Sequence, residues 1–495
     1  MADIERRALL GALALAGFAP AGATAQEANG RLAAPAASAG AVAPVIGTDV
    51  TRTLARYVVG ASYDALPEPV RAAARRTLLN WTGCTVGGSR HETVDIAVAA
   101  LAPFSGPAQA SLLGRGERLD IMHAALINGI ASHVFDFDDT HLKTVIHPAG
   151  PVASAILALA EWRPTDGRAF LNALVLGVEA ECRIGNAVYP DHYDRGWHIT
   201  GSTGTFGAAV AAGKLLGLSE QQMVWAIGLA AAQPVGLREM FGSMTKSFHP
   251  GRAAQNGLTA ALLAQKNFTS SNQVIEAKRG FANVMSTRHN YDEITQNLGK
   301  SFEVTINSYK PFACGIVIHP AIDACVQLKK EHKLNGAEVE KVELTVAPLV
   351  LELTGKRTPQ VGLEGKFSVF HSCAVALLFG AAGEKEYSDE MVRDPKVVAL
   401  RDKVNATVDK SLRDDEVHTR VTLKDGRVLT KYVAHAIGSK EVPMTNEQLE
   451  EKFHVLADDV IGNERASRLL ALAWSIEGLK DASEICRASA ADRRR

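Results

Sequence analysis

The chain has 495 residues, of which 47% are hydrophobic and 22% are charged, and its formal net charge is -1 at pH 7. This composition is typical of a globular protein with two or three domains. A chain so close to neutrality does not offer the basic surface that nucleic acids or anionic membranes attract, so neither is expected as the main partner. The six cysteines form no CxxC pair and are widely spaced, which indicates buried thiols rather than a zinc ribbon or a disulfide framework.

Residues 1–25 have the features of an export signal. Arg6 and Arg7 precede an apolar stretch, and Ala23-Thr24-Ala25 forms a small-residue cleavage site. The pattern predicts a signal peptide of the twin-arginine type and a periplasmic protein, with a cytoplasmic protein as the alternative. Residues 26–47 are rich in Ala, Gly and Pro and are predicted to be a disordered linker. No later segment is long and apolar enough to span a bilayer, so no membrane contact is expected after cleavage.

The pattern from residue 48 to residue 305 is helical. In segments such as 70–86, 150–162 and 170–188, apolar residues recur at i, i+3, i+4 and i+7, which is the period of an amphipathic helix. Several of these segments are apolar on nearly all sides, which places them inside a large helical body. Residues 445–495 return to the helical pattern.

The pattern of apolar and polar residues changes after residue 306. VEKVELTVAP (339–348) alternates apolar and polar residues, and VHTRVTLKDGRVLTKYV (417–433) holds two alternating runs around Lys424-Asp425-Gly426-Arg427. The second segment predicts a β-hairpin. The sequence therefore predicts a mainly α protein with a smaller α+β domain. The expected bounds are 48–305 plus 441–495 for the helical domain and 306–440 for the α+β domain.

The densest group of titratable side chains lies at ASHVFDFDDTHLKTVIHPAG, residues 131–150, directly after an apolar run. Its members are His133, Asp136, Asp138, Asp139, Thr140, His141, Lys143 and His147. Such groups at the end of a buried segment must be paired, hydrogen-bonded or ligated, or their pKa values shift. Clusters of this kind mark active sites, although structural ion-pair networks have the same composition.

Two later segments place basic residues or histidines ahead of small-residue helices. RGWHITGSTGTFGAAVAAG (195–213) has His198 before such a helix, and KSFHPGRAAQNG (246–257) has Lys246, His249 and Arg252. A helix N-terminus with small residues suits a carboxylate or a phosphate. The plainer alternatives are a helix cap for the first segment and a solvated basic loop for the second.

A third segment, SYKPFACGIVIHPAID (308–323), lies where the two predicted domains meet. It contains Lys310, Cys314 and His319. A cleft between domains is a common place for a small-molecule site.

Together these residues predict acid–base chemistry on a polycarboxylate. Cationic side chains and helix N-termini bind a polyanion, while Asp136 and the histidines hold and move protons. The sequence contains no GxGxxG, GxxxxGK[ST] or GxSxG motif, so lyase or isomerase chemistry without an organic cofactor is expected. Metal ligation by the first cluster is the main alternative, because its residue types bind zinc, iron and manganese. It is less favoured because HExxH is absent and alternate residues of an extended segment point to opposite sides.

Five blocks of the chain resemble the conserved blocks of the MmgE/PrpD family. They are FDFDDTHLKTVIHP, GWHITGSTGTFGAA, KSFHPGRAAQNG, KPFACGIVIHPAID and EGKFSVFHSCAVALLFG, and they occur in family order across about residues 48–490. The family includes 2-methylcitrate dehydratase, cis-aconitate decarboxylase and iminodisuccinate epimerase. The resemblance implies a helical domain with a smaller lid domain, a homodimer, and neither a metal nor an organic cofactor.

The resemblance also implies roles for single residues. His147 and His198 would be the acid and the base, and Lys246 and Lys310 would clamp carboxylates and offset developing charge. Asp136 would orient a histidine. The predicted substrate-binding residues are Thr140, His249 and Arg252.

One position departs from the decarboxylase members of the family, in which a histidine follows the last lysine by five residues. Here that position is Gly315, after Cys314. Because glycine cannot donate a proton, the favoured function is a hydro-lyase acting on a 2-methylcitrate-like acid. The alternatives are an epimerase of a similar acid such as iminodisuccinate, a cis-aconitate-type decarboxylase, and a periplasmic polycarboxylate-binding protein. The sequence leaves open the substrate, the stereochemistry and the role of Cys314.

Overall fold

The computed structural model describes residues 49–491. The predicted signal peptide (1–25) and linker (26–47) lie outside the described residues, so both stay predictions. Between residues 49 and 491, no helix combines the length and the apolar character that crossing a membrane requires.

The chain is helical as far as residue 295, as the period of its apolar residues predicts. The α-helices of this part are α1 (Val50–Gly60), α2 (Glu68–Gly88), α3 (Glu92–Leu101), α4 (Ile121–His133), α5 (Ala149–Trp162), α6 (Gly167–Val188), α7 (Asp191–Asp194), α8 (Ile199–Leu215), α9 (Glu220–Ala231), α10 (Thr245–Gln265), α11 (Phe281–Met285) and α12 (Asp292–Thr295). Two antiparallel strand pairs accompany them, β1 (Ala110–Ser111) with β2 (Arg118–Leu119) and β3 (Thr140–His141) with β4 (Asn307–Ser308).

The region from residue 306 to residue 440, here called the α+β region, contains a four-stranded sheet. Its strands are β5 (Val339–Val346), β6 (Val404–Val408), β7 (Val417–Leu423) and β8 (Val428–Val433), in the order β6-β5-β7-β8. Strands β5 and β6 are parallel, and the other pairs are antiparallel. The predicted hairpin is confirmed as β7 and β8, and Gly426 in its turn has φ +88, a conformation that favours glycine.

Helices pack on one face of this sheet and also end the chain. Those of the α+β region are α13 (His319–His332), α14 (Pro348–Thr354), α15 (Gly362–Gly365), α16 (Val369–Phe379), α17 (Asp389–Arg393) and α18 (Pro395–Arg401). The C-terminal helices are α19 (Asn446–Ile461), α20 (Asn463–Trp474) and α21 (Glu484–Ser489), and α19 packs against α2 in the helical part. The predicted fold class, mainly α with a smaller α+β part, is confirmed.

Three hydrophobic clusters form the interior. Two consist mostly of helical-part residues, and the third is the core of the α+β region, where Val342, Leu344 and Val346 of β5 point inward at alternate positions. Alternation of this kind is expected of a sheet with one buried face. Because residues 49–491 form one compact unit, the predicted domain boundaries at 306 and 441 stay predictions.

All six cysteines are buried free thiols, as predicted: Cys84, Cys182, Cys314, Cys325, Cys373 and Cys486. Burial raises the pKa of Cys314 to about 12. Its thiol is therefore protonated near neutral pH and does not offer the thiolate that nucleophilic catalysis needs.

Two close helix crossings position α4, α8 and α10, the helices around the candidate site. Helix α10 meets α4 at Gly129 and Gly251, where a Cβ on Gly129 would lie 2.4 Å from the Cα of Gly251. The same helix meets α8 at Gly257, where a Cβ would lie 2.6 Å from the carbonyl oxygen of Thr205. Only glycine permits such contacts. They bring the start of α10 to the end of α4 and the start of α8.

Candidate active site

The segment after α4 turns sharply and then joins the start of the α+β region. Asp136 has φ +51, which is uncommon for a residue other than glycine and marks local strain of the kind found at functional sites. Strands β3 and β4 then pair Thr140 with Ser308. This pairing holds the Asp136 turn next to Lys310, which lies two residues beyond Ser308.

Five predicted site residues from distant parts of the chain line one cavity: Asp136, His147, His198, Lys246 and Lys310. The other wall is mostly apolar and includes Val145, Phe241, Ile316, Val317, Leu353 and Phe367. The cavity has a volume of about 30 Å³, which is room for about two water molecules. The cavity is therefore narrow for an organic acid with three carboxylates.

Asp136 is the anionic centre of the site. Its Oδ1 lies 2.5 Å from Lys310 Nζ, and its Oδ2 lies 3.1 Å from Lys246 Nζ. Burial would raise the pKa of Asp136, but the two ammonium groups outweigh burial and hold that pKa well below its usual value. In this structure the carboxylate of Asp136 joins two lysines that lie more than 100 residues away in the sequence, and its predicted role in orienting a histidine stays a prediction.

His147 is held in one tautomer by a backbone oxygen. Its Nδ1 lies 2.9 Å from the carbonyl oxygen of Asp139. A carbonyl only accepts, so Nδ1 carries the hydrogen and Nε2 of the neutral ring keeps its lone pair. Burial lowers the pKa of His147 to about 4, so the ring is neutral at pH 7. An unprotonated imidazole on a cavity wall is suited to act as a general base.

His198 precedes α8 and pairs with a second histidine. Its Nδ1 lies 2.8 Å from Nδ1 of His249, so one of the two nitrogens carries the hydrogen that lies between them. Burial lowers the pKa of both rings, that of His249 to about 3. Gly236, at φ +105, passes close to this pair, and a Cβ there would lie 2.9 Å from Cγ of His249. His249, a predicted substrate ligand, thus lies behind His198 as its hydrogen-bond partner.

Lys246 enters the site from the first turn of α10. Its Nζ lies 2.7 Å from Nε2 of His133 in addition to its contact with Asp136. The ammonium also lies 5.5 Å from the ring centroids of Phe241 and Phe367, a distance at which cation–π attraction is effective. Burial lowers the pKa of Lys246, and Asp136 opposes that shift.

Two predicted substrate-binding residues do not reach the cavity. Thr140 is fully buried behind His147, where its Oγ1 lies 3.4 Å from Nδ1 of the imidazole. Arg252 is exposed and hydrogen-bonds Gln255. Positions 246 and 249 share a face of α10, but position 252 is six residues from Lys246 and points about 240° around the helix. Neither residue lines the cavity in this structure, and the prediction that Thr140 and Arg252 bind substrate stays a prediction.

Metal ligation can be tested on the contacts of the candidate ligands. Ligand atoms of His133, His147 and His198 lie within 4.8 Å of one another, and so do those of Asp136, Asp138 and His147. A cation at the second group would face the Lys246 and Lys310 ammonium groups that already neutralise Asp136. In the first group, Nε2 of His133 already accepts from Lys246. The present contacts do not fit a metal, and its absence from the working protein stays a prediction.

The sequence reasoning undervalued Asp138 and His133 and missed Phe241 and Phe367. Asp138 and His133 are named above only as members of the 131–150 cluster, yet the two residues contact the groups on the cavity wall. Their place in the same block as Asp136 was the available signal. The two phenylalanines stack at 5.4 Å between centroids. Phe367 lies in the block EGKFSVFHSCAVALLFG, which was the available signal for it, whereas Phe241 lies outside the five blocks.

The fold and the site define a class of protein, a mainly α chain in which histidines, lysines and a buried aspartate from distant segments line one cavity. The chain belongs to the MmgE/PrpD family. Residues 52–294 match the MmgE/PrpD N-terminal domain, and residues 312–477 match the MmgE/PrpD C-terminal domain.

Named relatives extend over most of the chain. It is 27% identical over 461 residues to cis-aconitate decarboxylase of Aspergillus terreus, covering 87% of this chain and 94% of the relative. The human cis-aconitate decarboxylase is 27% identical over 453 residues, covering 88% and 93%. The 2-methylcitrate dehydratase of Cupriavidus necator is 24% identical over 430 residues, covering 79% and 85%. These relatives are lyases, which supports the lyase class for this chain at the level of the family.

Proposed function

We propose that the chain is a lyase that removes water from a di- or tricarboxylic acid similar to 2-methylcitrate. The observation that carries the proposal is the tautomer of His147, whose Nδ1 is held 2.9 Å from the Asp139 carbonyl. A neutral imidazole with a free Nε2 lone pair then lines the same cavity as the Lys246 ammonium. Proton removal next to a carboxylate needs this combination of a base and a fixed positive charge.

In the proposed reaction, Nε2 of His147 takes a proton from the carbon next to a substrate carboxylate. The electron pair moves toward that carboxylate, and Lys246 offsets the enolate-like charge. The carbon–carbon double bond then forms as the hydroxyl on the neighbouring carbon leaves, and the proton that His147 has taken makes the leaving group water, so His147 returns to its neutral form. A positioned acid or base contributes about 10²–10⁴-fold to such a step, so fixed charges supply most of the remainder.

Decarboxylation of a cis-aconitate-like acid is the second candidate. The cis-aconitate decarboxylases are 25% to 28% identical over 87% to 88% of the chain, whereas the 2-methylcitrate dehydratases are 23% to 24% identical over 72% to 79%. Against this candidate, Gly315 lines the cavity and offers no proton to the carbon that loses carbon dioxide. A Cβ on Gly315 would already lie 3.2 Å from Cγ2 of Thr354, so a larger side chain would need Thr354 to shift.

The test is incubation of the purified full chain with a panel of di- and tricarboxylic acids in deuterated water. Proton NMR and carbon dioxide release separate the outcomes. New vinyl signals without carbon dioxide support the hydro-lyase, and carbon dioxide release supports the decarboxylase. Deuterium uptake without an alkene identifies an epimerase, and saturable binding of an unchanged acid identifies a binding protein.

We also propose that the protein is exported to the periplasm and acts as a homodimer. Export rests on the pattern of residues 1–25 and the dimer on family likeness. Mass spectrometry of the protein from its native cells would show an N-terminus at Gln26, and light scattering would show twice the chain mass. An intact Met1 in the cytoplasmic fraction, or a monomer, would contradict the respective proposal.

A further inference from the structure

His133 and Asp138 lie behind the cavity wall, and both are buried. Nδ1 of His133 lies 2.7 Å from Oδ2 of Asp138. An ionised carboxylate only accepts hydrogen bonds, so His133 carries its hydrogen on Nδ1 and keeps a lone pair on Nε2. That lone pair accepts a hydrogen bond from Lys246 Nζ at 2.7 Å. Asp138 thereby makes His133 an acceptor on the side that faces the lysine.

The two lysines of the site differ in how many N–H groups they have left for substrate. An ammonium has three donors. Those of Lys310 have three acceptors within the chain, Oδ1 of Asp136 at 2.5 Å and the carbonyl oxygens of Asp136 and Cys314, both at 3.1 Å. Lys246 has at most two, Nε2 of His133 at 2.7 Å and, through an ion pair, Oδ2 of Asp136 at 3.1 Å. Lys246 therefore retains one N–H for a ligand in the cavity that it lines.

We propose that His133 and Asp138 are positioning residues that aim the free N–H of Lys246 at a substrate carboxylate. The inference rests on the proposed function, because it takes a polycarboxylate as the ligand. It deepens that function by assigning carboxylate recognition to Lys246 and a supporting role to Lys310. In the other tautomer of His133, an N–H would face the ammonium, and Lys246 would lose an acceptor that fixes its direction.

The relevant variants separate recognition from folding. His133→Phe removes the acceptor, whereas His133→Gln keeps a donor for Asp138 and an acceptor for Lys246 on one amide. Lys246→Met removes the ammonium itself. His371→Phe is the matched control, since His371 is another buried histidine, bonded to the carbonyl oxygen of Glu386 at 2.8 Å in the α+β region, and its loss is expected to leave binding unchanged.

The experiment measures the dissociation constant of propane-1,2,3-tricarboxylate by calorimetry on the full chain, together with KM and kcat for the best substrate of the panel. His133→Phe is expected to weaken binding and raise KM about 10- to 100-fold, the range for hydrogen bonds to charged groups, with a smaller change in kcat. His133→Gln restores most of the affinity. The double variant His133→Phe/Lys246→Met binds no more weakly than Lys246→Met alone, because the histidine acts through the lysine.

Unchanged binding in His133→Phe, no rescue by His133→Gln, or losses that add in the double variant would each overturn the inference. The double variant keeps the test valid if His133→Phe is less stable, since a merely structural loss adds to that of Lys246→Met. A wild-type chain that binds the tricarboxylate without turning over any acid contradicts the proposed lyase, while these binding results still decide the inference. A wild-type chain that neither binds nor turns over such acids overturns both.

Discussion

The two sides of the cavity differ in chemistry. The helical part supplies nearly all of the titratable groups, among them Asp136, His147, His198 and Lys246, whereas the α+β region supplies Lys310 and a largely apolar wall. Lys310 in turn donates its hydrogen bonds to Asp136 and to the carbonyl oxygen of Cys314. The comparison teaches that the groups able to exchange protons lie mostly on the helical side, while the α+β side supplies much of the apolar surface of the cavity.

The largest expected effect comes from the helical side. His147→Gln removes the proposed base and is expected to lower kcat by about 10²–10⁴-fold with little change in substrate affinity. Steady-state kinetics with the preferred acid measure the loss, and circular dichroism checks that the variant folds. A variant that retains more than a tenth of wild-type kcat would show that His147 is not the base.

The two lysines give the sharpest contrast between the sides. Lys246→Met is expected to weaken carboxylate binding and leave Asp136 paired with Lys310. Lys310→Met removes the ammonium nearest that buried carboxylate, and breaking a buried ion pair typically costs about 3–5 kcal/mol of stability. Activity assays and thermal unfolding of both variants test the contrast. Equal losses of Tm in the two variants would contradict the division of roles.

Sequence reasoning predicted well what depends on periodicity and short motifs. The helices around 70–86, 150–162 and 170–188, the hairpin of β7 and β8, and five cavity residues follow from local pattern or from family blocks. It could not show which residues from distant parts of the chain contact one another. Asp136 meets Lys246 and Lys310 only because α10 crosses α4 and β3 pairs with β4. The blocks show which residues matter, while the tertiary contacts decide what each one touches.

The pH dependence of activity is expected to show that His147, on the helical side, is buried. Burial lowers the pKa of His147 to about 4, below the ordinary value of about 6.5. The base is therefore unprotonated at pH 6, and kcat/KM is expected to stay level from pH 8 to about pH 5 and to fall near pH 4. The free energy of unfolding is expected to change with pH in the same direction as kcat/KM. The contribution of neutral His147 to stability is present above about pH 6.5 and is lost as pH falls through 4.

A pH–rate profile of kcat/KM, with circular dichroism at each pH to confirm folding, makes the measurement. An acid limb centred near pH 6.5 would mean that the catalytic imidazole is solvated in the working enzyme. The buried site of this structure would then be a resting form. The difference between the helical side and the α+β side of the cavity would not describe the working enzyme.

The smallest effect is expected on the α+β side, at Gly315. Its φ is -56, so alanine fits the backbone, and its added Cβ would lie 3.2 Å from Cγ2 of Thr354. Gly315→Ala is expected to raise KM less than tenfold for the bulkiest acid accepted and to leave kcat nearly unchanged, since strain from one added carbon is about 1 kcal/mol. Thr354→Ser removes the opposing methyl group, so the double variant should recover the wild-type KM. A fall in kcat that Thr354→Ser does not relieve would show that this side takes part in the chemistry as well.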